Sequence, residues 1–325
     1  MRFILRRLGF YAIAAWASLT LNFFLPHAMP GDPASAVFAR FQGRMRPEEL
    51  QALREAYGFS NAPLPQQYLT YLEHVLRGDF GISYSAFPSP VATVIATGLI
   101  WTVLLGGVAL VLSFCLGNVL GVISAWRRGG VMDSVLPPLL LFVGSFPYFW
   151  LAMVALFFLA FQFGWFPLRH AYSDSIAPSL NLPFIGSIVS HLILPAGTIL
   201  LVTIGGWMLG MRNTMIGVLA EDYITMAEAK GLSQRRVMFN YAARNALLPN
   251  ITALGMSIGF ILSGQILTEV VFSYPGLGYL FFKAVSNLDY PLLQGLFLML
   301  TFGVLGANLI IDLLYIRLDP RVRAQ

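Results

Sequence analysis

Long apolar stretches separated by short polar ones dominate the chain. Six of them reach the roughly 20 mostly apolar residues that a membrane-spanning helix needs. They cover residues 8–28, 95–125, 135–161, 188–211, 247–272 and 292–316. The second, third and fifth are long enough to tilt in a bilayer or to project beyond it. The pattern predicts six transmembrane helices.

The stretch between the first two predicted spans, residues 29–94, has the mixed composition of a water-exposed segment. In it, Pro47 followed by two glutamates indicates a helix start, and Gly58 indicates its end. Leucines at helical spacing indicate a second short helix over residues 66–77. We interpret both as helices packed on the outer face of the bundle, without a catalytic role.

The overall composition supports this interpretation. The chain has 325 residues, of which 57% are hydrophobic and 11% charged, whereas about 25% of the residues of a soluble domain are charged. These values exclude a soluble globular enzyme, and the aromatic content excludes a disordered chain. With one cysteine, Cys115, and four scattered histidines, the sequence shows no intrachain disulfide and no metal-ligand spacing.

The distribution of basic residues predicts the orientation. If the N-terminus is cytoplasmic, thirteen of the twenty Lys and Arg residues fall on cytoplasmic segments, while the two short outer loops hold only Arg169 and Lys283. By the positive-inside rule both termini are cytoplasmic and residues 29–94 form a large first extracytoplasmic loop. The net charge of +5 therefore reflects topology, and no nucleic-acid partner is expected.

The predicted spans hold almost no charge. A secondary carrier usually places carboxylates or unwound half-helices at mid-membrane, and neither pattern is evident. The sequence also has no glycine-rich nucleotide-binding loop and no catalytic constellation, so another chain would have to supply energy. A few polar residues are candidates to line a transport pathway, with interhelical hydrogen bonds as the alternative: Asn118, Gln265, Glu269, Gln294 and Asn308.

The predicted cytoplasmic loop at about residues 212–246 is longer than a simple connection requires. It indicates two short helices. The first covers residues 222–230, with acids at its start and Gly231 as its stop; Ser233 can cap the second, which continues to Leu248-Pro249. Such a helix can receive force from a soluble motor, or it can rest on lipid headgroups.

In this loop the chain resembles the permeases of ABC importers, and more narrowly their dipeptide, oligopeptide and nickel branch. The resemblance rests first on Tyr223-Ile-Thr-Met-Ala-Glu-Ala-Lys-Gly-Leu-Ser-Gln-Arg-Arg-Val237 with Arg244-Asn-Ala-Leu-Leu-Pro249. Further motifs occur in order along almost the whole chain: Ile4-Leu-Arg-Arg7, Pro30-Gly-Asp-Pro33, Arg77-Gly-Asp-Phe-Gly81, Phe272-Ser-Tyr-Pro-Gly-Leu-Gly278, Asp289-Tyr-Pro-Leu-Leu-Gln-Gly295, Asp312-Leu-Leu-Tyr315 and Leu318-Asp-Pro-Arg321.

The resemblance implies an all-α integral membrane protein of the type I importer fold, in a prokaryotic inner membrane. Its implied partners are a second permease, two ATP-binding subunits or one fused ATPase, an extracytoplasmic binding protein and membrane lipid. ATP and Mg would be bound by the ATPase partners, with no cofactor in this chain. The implied substrates are peptides, with nickel chelates, glutathione or oligosaccharides as alternatives.

The resemblance also implies that residues 222–231 form a coupling helix in a groove of the ATPase. Its residues would be Asp222, Tyr223, Thr225, Met226, Ala227, Glu228, Lys230 and Gly231, supported by Arg235, Arg236, Arg244 and Pro249. The chain departs from the broad family pattern, because Thr225-Met226-Ala227 replaces Glu-Ala-Ala and the distance from Gly231 to Pro249 is longer by about five residues. Both departures are usual in the peptide branch.

We divide the chain into an N-terminal helix with its outer loop (1–93), a transmembrane domain of five helices (94–316) and a cytoplasmic tail (317–325). Because only a few residues precede the first predicted span, the chain resembles the first of the two permeases in such systems. The expected function is a permease subunit without its own ATPase site. A self-sufficient secondary carrier is the alternative from another class.

Overall fold

The computed structural model describes residues 2–28, 63–261 and 265–318, and within these ranges the regular secondary structure is helical. The elements are α1 (Arg2–Ala28), α2 (Leu64–Leu76), α3 (Val91–Trp126), α4 (Val131–Gly144), α5 (Tyr148–Ala155), π1 (Leu156–Gln162), α6 (Leu182–Leu219), α7 (Asp222–Ala229), α8 (Gln234–Arg236), π2 (Val237–Ala243), α9 (Arg244–Ala246), α10 (Leu248–Ile261), α11 (Ile266–Val271), α12 (Leu277–Ser286) and α13 (Tyr290–Leu318). The predicted helix near residues 47–58, the motif at 30–33 and residues 319–325 lie outside the described ranges.

Within the described ranges, three helices are long and apolar enough to cross a membrane by themselves: α3, α6 and the Tyr290–Leu309 part of α13. The segment from α4 to π1 passes the same test as a bent pair. The prediction of an all-helical membrane protein is therefore confirmed. The first predicted span corresponds to α1, of 27 residues, and the fifth to α10 and α11, but neither adds to the three or four helices that pass the test, so six spans remain a prediction.

The third predicted span is not the unbroken helix that its apolar run indicates. α4 ends at Gly144, α5 begins at Tyr148, and the two axes differ by 91°. Pro147, which precedes α5, has no N–H to donate and fixes its own φ, so a helix stops before it and can restart after it. The backbone N–H groups of Ser145 and Phe146 donate to the carbonyls of Phe142 and Val143, so these two donors stay paired where α4 ends.

The described residues divide into two units. The first contains α1, α2, the start of α3, α12 and α13. Its core joins Val91 and Ile95 of α3 to apolar residues of α12 and α13. On α1, Asn22 donates through Nδ2 to the carbonyl oxygen of Gln294 (3.1 Å), and Gln294 returns a bond through Nε2 to the carbonyl oxygen of Asn22 (3.2 Å). This exchange fastens α1 to α13.

A buried carboxylate holds the segment before α3 in the same unit. Asp289, with no exposed surface, precedes α13 and accepts from the backbone N–H of Leu292 at 3.2 Å. Its Oδ2 also accepts from Ser83 Oγ (2.6 Å), Ser85 Oγ (2.6 Å) and Ser85 N (2.8 Å). A carboxylate with this many donors can remain buried without a cation.

The second unit contains the rest of α3, α4 to α10, and α11. Its helices approach closely where α3 carries Gly117 and Gly121, because a Cβ atom at either position would lie less than 3 Å from α6 atoms. Glycines at such positions let two membrane helices approach closely. Near this contact, Asn250 Nδ2 of α10 donates to Asn118 Oδ1 of α3 at 2.6 Å and to the carbonyl of Trp207 on α6 at 3.3 Å.

Candidate functional site

The predicted coupling segment forms a separate helix. α7 begins at Asp222, whose carboxylate lies in the first turn, and ends at Ala229. Gly231 follows with φ +73°, a left-handed conformation that costs a residue with a Cβ atom about 1–2 kcal/mol. Its N–H donates to the carbonyl of Glu228 at 2.8 Å. Both the helix and its glycine stop are therefore confirmed.

One face of α7 is buried and the other is open. Ile224 and Ala227 are each 3% exposed and belong to a hydrophobic cluster. We name this group the loop cluster; its buried members are Val122, Ala125, Met211, Met215, Ile224, Ala227, Val237, Ala242, Ala243 and Ala246. On the open face, Tyr223 is 37% and Met226 61% exposed. α7 is thus seated on the ends of α3 and α6 and presents a second surface outward.

The segment after α7 differs from the regular helix that the sequence indicates. Ser233 occupies the N-cap position, but its side chain makes no capping hydrogen bond. After three residues of α8 the chain becomes π2. In a π-helix residues five apart share a face, and Val237 and Ala242 are both buried in the loop cluster. The wider turn of the π-helix therefore lets both residues pack on the loop cluster.

A side-chain hydrogen bond connects α7 to this second segment. Asn245 Nδ2, in α9, donates to the hydroxyl of Tyr223 at 3.0 Å and to the carbonyl of Tyr241 at 3.2 Å. The predicted supporting residues Arg235, Arg236, Arg244 and Pro249 are exposed. Their role in coupling stays a prediction.

The predicted pathway residues occupy different environments. Asn118 is buried against Asn250, and Gln294 takes part in the exchange with Asn22. Glu269 is buried, and Thr102 Oγ1 donates to its Oε1 at 2.8 Å. Gln265 is half-buried and Asn308 exposed. For Asn118 and Gln294 the observed contacts are those of the alternative, interhelical hydrogen bonding; a role in the pathway stays a prediction for all five.

A buried tyrosine lies close to Glu269. Burial, and in second place the charge of Glu269, raise the pKa of the Tyr274 hydroxyl above its ordinary value. Within the part of the chain that the structure describes, no cluster of three or more His, Cys, Asp or Glu side chains is arranged to hold a metal ion.

An open cavity of about 490 Å³ adjoins the loop cluster. It is bounded by α3, α6 and the segment from π2 to the turn before α10, and its walls are mainly apolar. The lining residues are Asn118, Val119, Val122, Met211, Phe239, Asn240, Ala243, Arg244 and Leu247. Asn118 and Arg244, which the sequence assigns to different roles, thus face the same space.

Sequence reasoning missed two residues in this region, Asp133 and Asn250. Asp133, in the first turn of α4, is paired with Arg212 of α6, although the two are 79 residues apart along the chain. Asn250 was missed as the partner of Asn118 for the same reason. An acid directly after a basic hairpin was the available signal for Asp133, and a polar residue next to Pro249 was the signal for Asn250.

The long apolar helices, with a short helix seated on their ends and open on its other face, define an integral membrane component. Residues 117–324 match the family described as binding-protein-dependent transport system inner membrane component. Residues 1–113 match the N-terminal part of such membrane components. The chain belongs to this family, and membership implies ATPase and binding-protein partners.

Several relatives are similar to the chain over nearly their whole length. The dipeptide transport system permease protein DppB of Escherichia coli K12 is 36% identical, with 99% of each chain covered. DppB of Lactococcus lactis subsp. cremoris is 32% identical with the same coverage. The oligopeptide transport system permease protein AppB of Bacillus subtilis is 35% identical over 93% of each chain.

Proposed function

We propose that this chain is one permease of an ATP-driven importer for peptides, and that α7 receives the movement of a partner ATPase. The observation that carries the proposal is that one face of α7 is buried and the opposite face is exposed. Ile224 and Ala227 fix it to the ends of α3 and α6, while Tyr223 and Met226 remain available to a partner. A rigid helix held in this way transmits a displacement to the helices behind it, because packed interfaces do not deform continuously.

The substrate class is proposed from the relatives, which are named for transport of dipeptides and oligopeptides. Nickel chelates, glutathione and oligosaccharides remain alternatives. We further propose a second permease beside this one, with ATP and Mg bound by two ATPase subunits or one fused ATPase. The same proposal includes six membrane spans, both termini in the cytoplasm, and the division of the chain at residues 93 and 316.

A charge placed on the open face of α7 tests the coupling role. We expect Met226→Glu to prevent docking of the ATPase, because a carboxylate would have to lose its hydration in the interface. Since Met226 is 61% exposed, the fold of the permease should not change. Val131→Glu is the matched control: Val131 is 82% exposed, apolar, and lies on the predicted cytoplasmic hairpin.

The measurements are retention of ATP-hydrolysing subunits on the tagged permease and uptake of labelled dialanine in proteoliposomes. The proposal predicts that Met226→Glu loses both, while Val131→Glu retains both. Uptake by the purified chain alone, driven by an ion gradient without ATP, would contradict the proposal and support a secondary carrier.

A further inference from the structure

Four donors surround the carboxylate of Asp133, which is 8% exposed. Its Oδ1 accepts from Ser124 Oγ at 2.7 Å and from Arg212 Nε, and its Oδ2 accepts from Gly129 N at 3.0 Å and Arg212 Nη2 at 3.0 Å. These donors come from the end of α3, the hairpin after it, and α6. One side chain therefore joins three helices at the same end. We name the ion pair with its four hydrogen bonds the Asp133–Arg212 brace.

The turn between α3 and α4 contains Gly129 at φ +77°, a left-handed conformation that glycine adopts without steric cost. A buried ion pair loses hydration on both partners, and apolar replacements are often as stable. The side chain of Asp133 is 6% and that of Arg212 22% exposed. The two-point pairing of a carboxylate with a guanidinium fixes the relative orientation of the two side chains more strictly than an apolar contact does.

The brace adjoins the loop cluster that holds α7. Arg212 directly follows Met211, which is 1% exposed and packs in the cluster with Ile224 and Ala227. Ser124 lies between Val122 and Ala125, which belong to the same cluster. Two donors of the brace, Ser124 and Arg212, are thus each next in sequence to a residue of the loop cluster. A displacement of α7 reaches α3 and α6 through apolar contacts. α4 packs along α6, and Asp133 adds a polar link from α4 to the ends of both α3 and α6.

We propose that the Asp133–Arg212 brace is a positioning device that keeps the ends of α3, α4 and α6 together as one body during transport. It passes movement received by α7 to the segment from α4 to π1. This inference rests on the proposed coupling role of α7 and adds that the ion pair stays closed throughout the cycle. In the alternative, a gate, the same ion pair would have to break and form again in each transport cycle.

A covalent replacement distinguishes a permanent brace from a gate. In a Cys115→Ser background, which removes the one cysteine of the chain, Asp133→Cys and Arg212→Cys are combined. The whole complex is purified through the permease, and a short bis-maleimide joins the two thiols. Uptake of labelled dialanine per ATP hydrolysed is measured in proteoliposomes before and after cross-linking.

We expect the double-cysteine complex to hydrolyse ATP before cross-linking. Its uptake per ATP hydrolysed should be about 5- to 150-fold lower than that of the parent complex, the usual range for coupling between sites. Cross-linking should restore that ratio. Arg212→Lys, which keeps the charge and loses the two-point geometry, should fall between the parent and the open pair. Arg77→Gln is the matched control, since its ion pair with Glu73 in α2 is exposed and its loss should leave the ratio unchanged.

Two outcomes would overturn the inference while the proposed function stands. A cross-linked complex that hydrolyses ATP without uptake would show that the pair must open. An open double-cysteine complex with the parent ratio would show that the pair is not needed. By contrast, a parent permease that retains no ATPase subunit would contradict the proposed function itself, and the inference with it.

Discussion

The contact between α3 and α6 can be tested at Gly121. A Cβ atom at this position would lie 2.5 Å from the carbonyl oxygen of Met208 and 2.8 Å from Met211 Cβ, whereas ordinary contacts begin at 3.4 Å. The Met208 atom belongs to the backbone and cannot rotate away. Gly121→Ala therefore requires the two helices to separate by roughly 1 Å, and a gap of that size forfeits about a quarter to a half of each dispersion contact.

The expected cost follows from comparison with a second glycine of α3. Nothing lies within 4 Å of a Cβ atom built at Gly107. Both substitutions gain about 1 kcal/mol of helix propensity, but only Gly121→Ala has the overpacking cost of about 1–3 kcal/mol. The difference between the variants should thus be about 1–3 kcal/mol, or roughly 5- to 150-fold in the unfolding equilibrium.

The assay is denaturation of the purified permease in detergent micelles, followed by tryptophan fluorescence. Trp207 is a suitable reporter because its Cβ would lie 2.6 Å from a Cβ at Gly117, in the same contact. We expect Gly107→Ala to denature at or above the parent midpoint, and Gly121→Ala at or below the parent midpoint and below that of Gly107→Ala. Equal midpoints for the two variants would refute the close approach of α3 and α6.

Two further predictions concern other parts of the chain. Asp289→Asn should destabilise the permease by at least about 2 kcal/mol in the same assay, because the amide N–H₂ group would face the Ser83 and Ser85 groups that donate to the carboxylate. Asp174→Asn, at an exposed position, should have no effect. Equal midpoints for the two variants would contradict the role of Asp289. In a Cys115→Ser background, Leu180→Cys, at a position 99% exposed, should react with an impermeant maleimide in intact cells, and Arg128→Cys only after permeabilisation. The reverse labelling pattern would contradict the orientation.

Local signals in the sequence predicted local structure well. The helix after residue 221 and its left-handed glycine depend on an acid at the start and on Gly231 at the end, which lie within ten residues of each other. The helix over Leu64–Leu76 likewise follows from leucine spacing. Such elements are determined by neighbours along the chain, so one sequence contains the necessary information.

The remaining features depend on distant partners or on competing preferences. Arg212 was interpreted only as a mark of orientation, since nothing near it in sequence indicates that Asp133 neutralises it. The break at Pro147 was missed because the prediction followed hydropathy over residues 135–161 and gave no weight to Gly144, Ser145 and Pro147 within that run. π2 was missed because its five-residue spacing follows from packing on the loop cluster. An analysis of hydrophobic periodicity tests for the 3.6-residue repeat of an α-helix instead.

The break before Pro147 also has a consequence for biosynthesis. α4 has 14 residues and extends about 21 Å, and the 15 residues from Tyr148 to Gln162 reach a similar length. Neither half matches the roughly 30 Å of a hydrocarbon core. Both halves pack against α6. Because α6 begins at Leu182, it is synthesised after both of them. We expect nascent chains that end before α6 to remain beside the translocon, and release into lipid to follow the synthesis of α6.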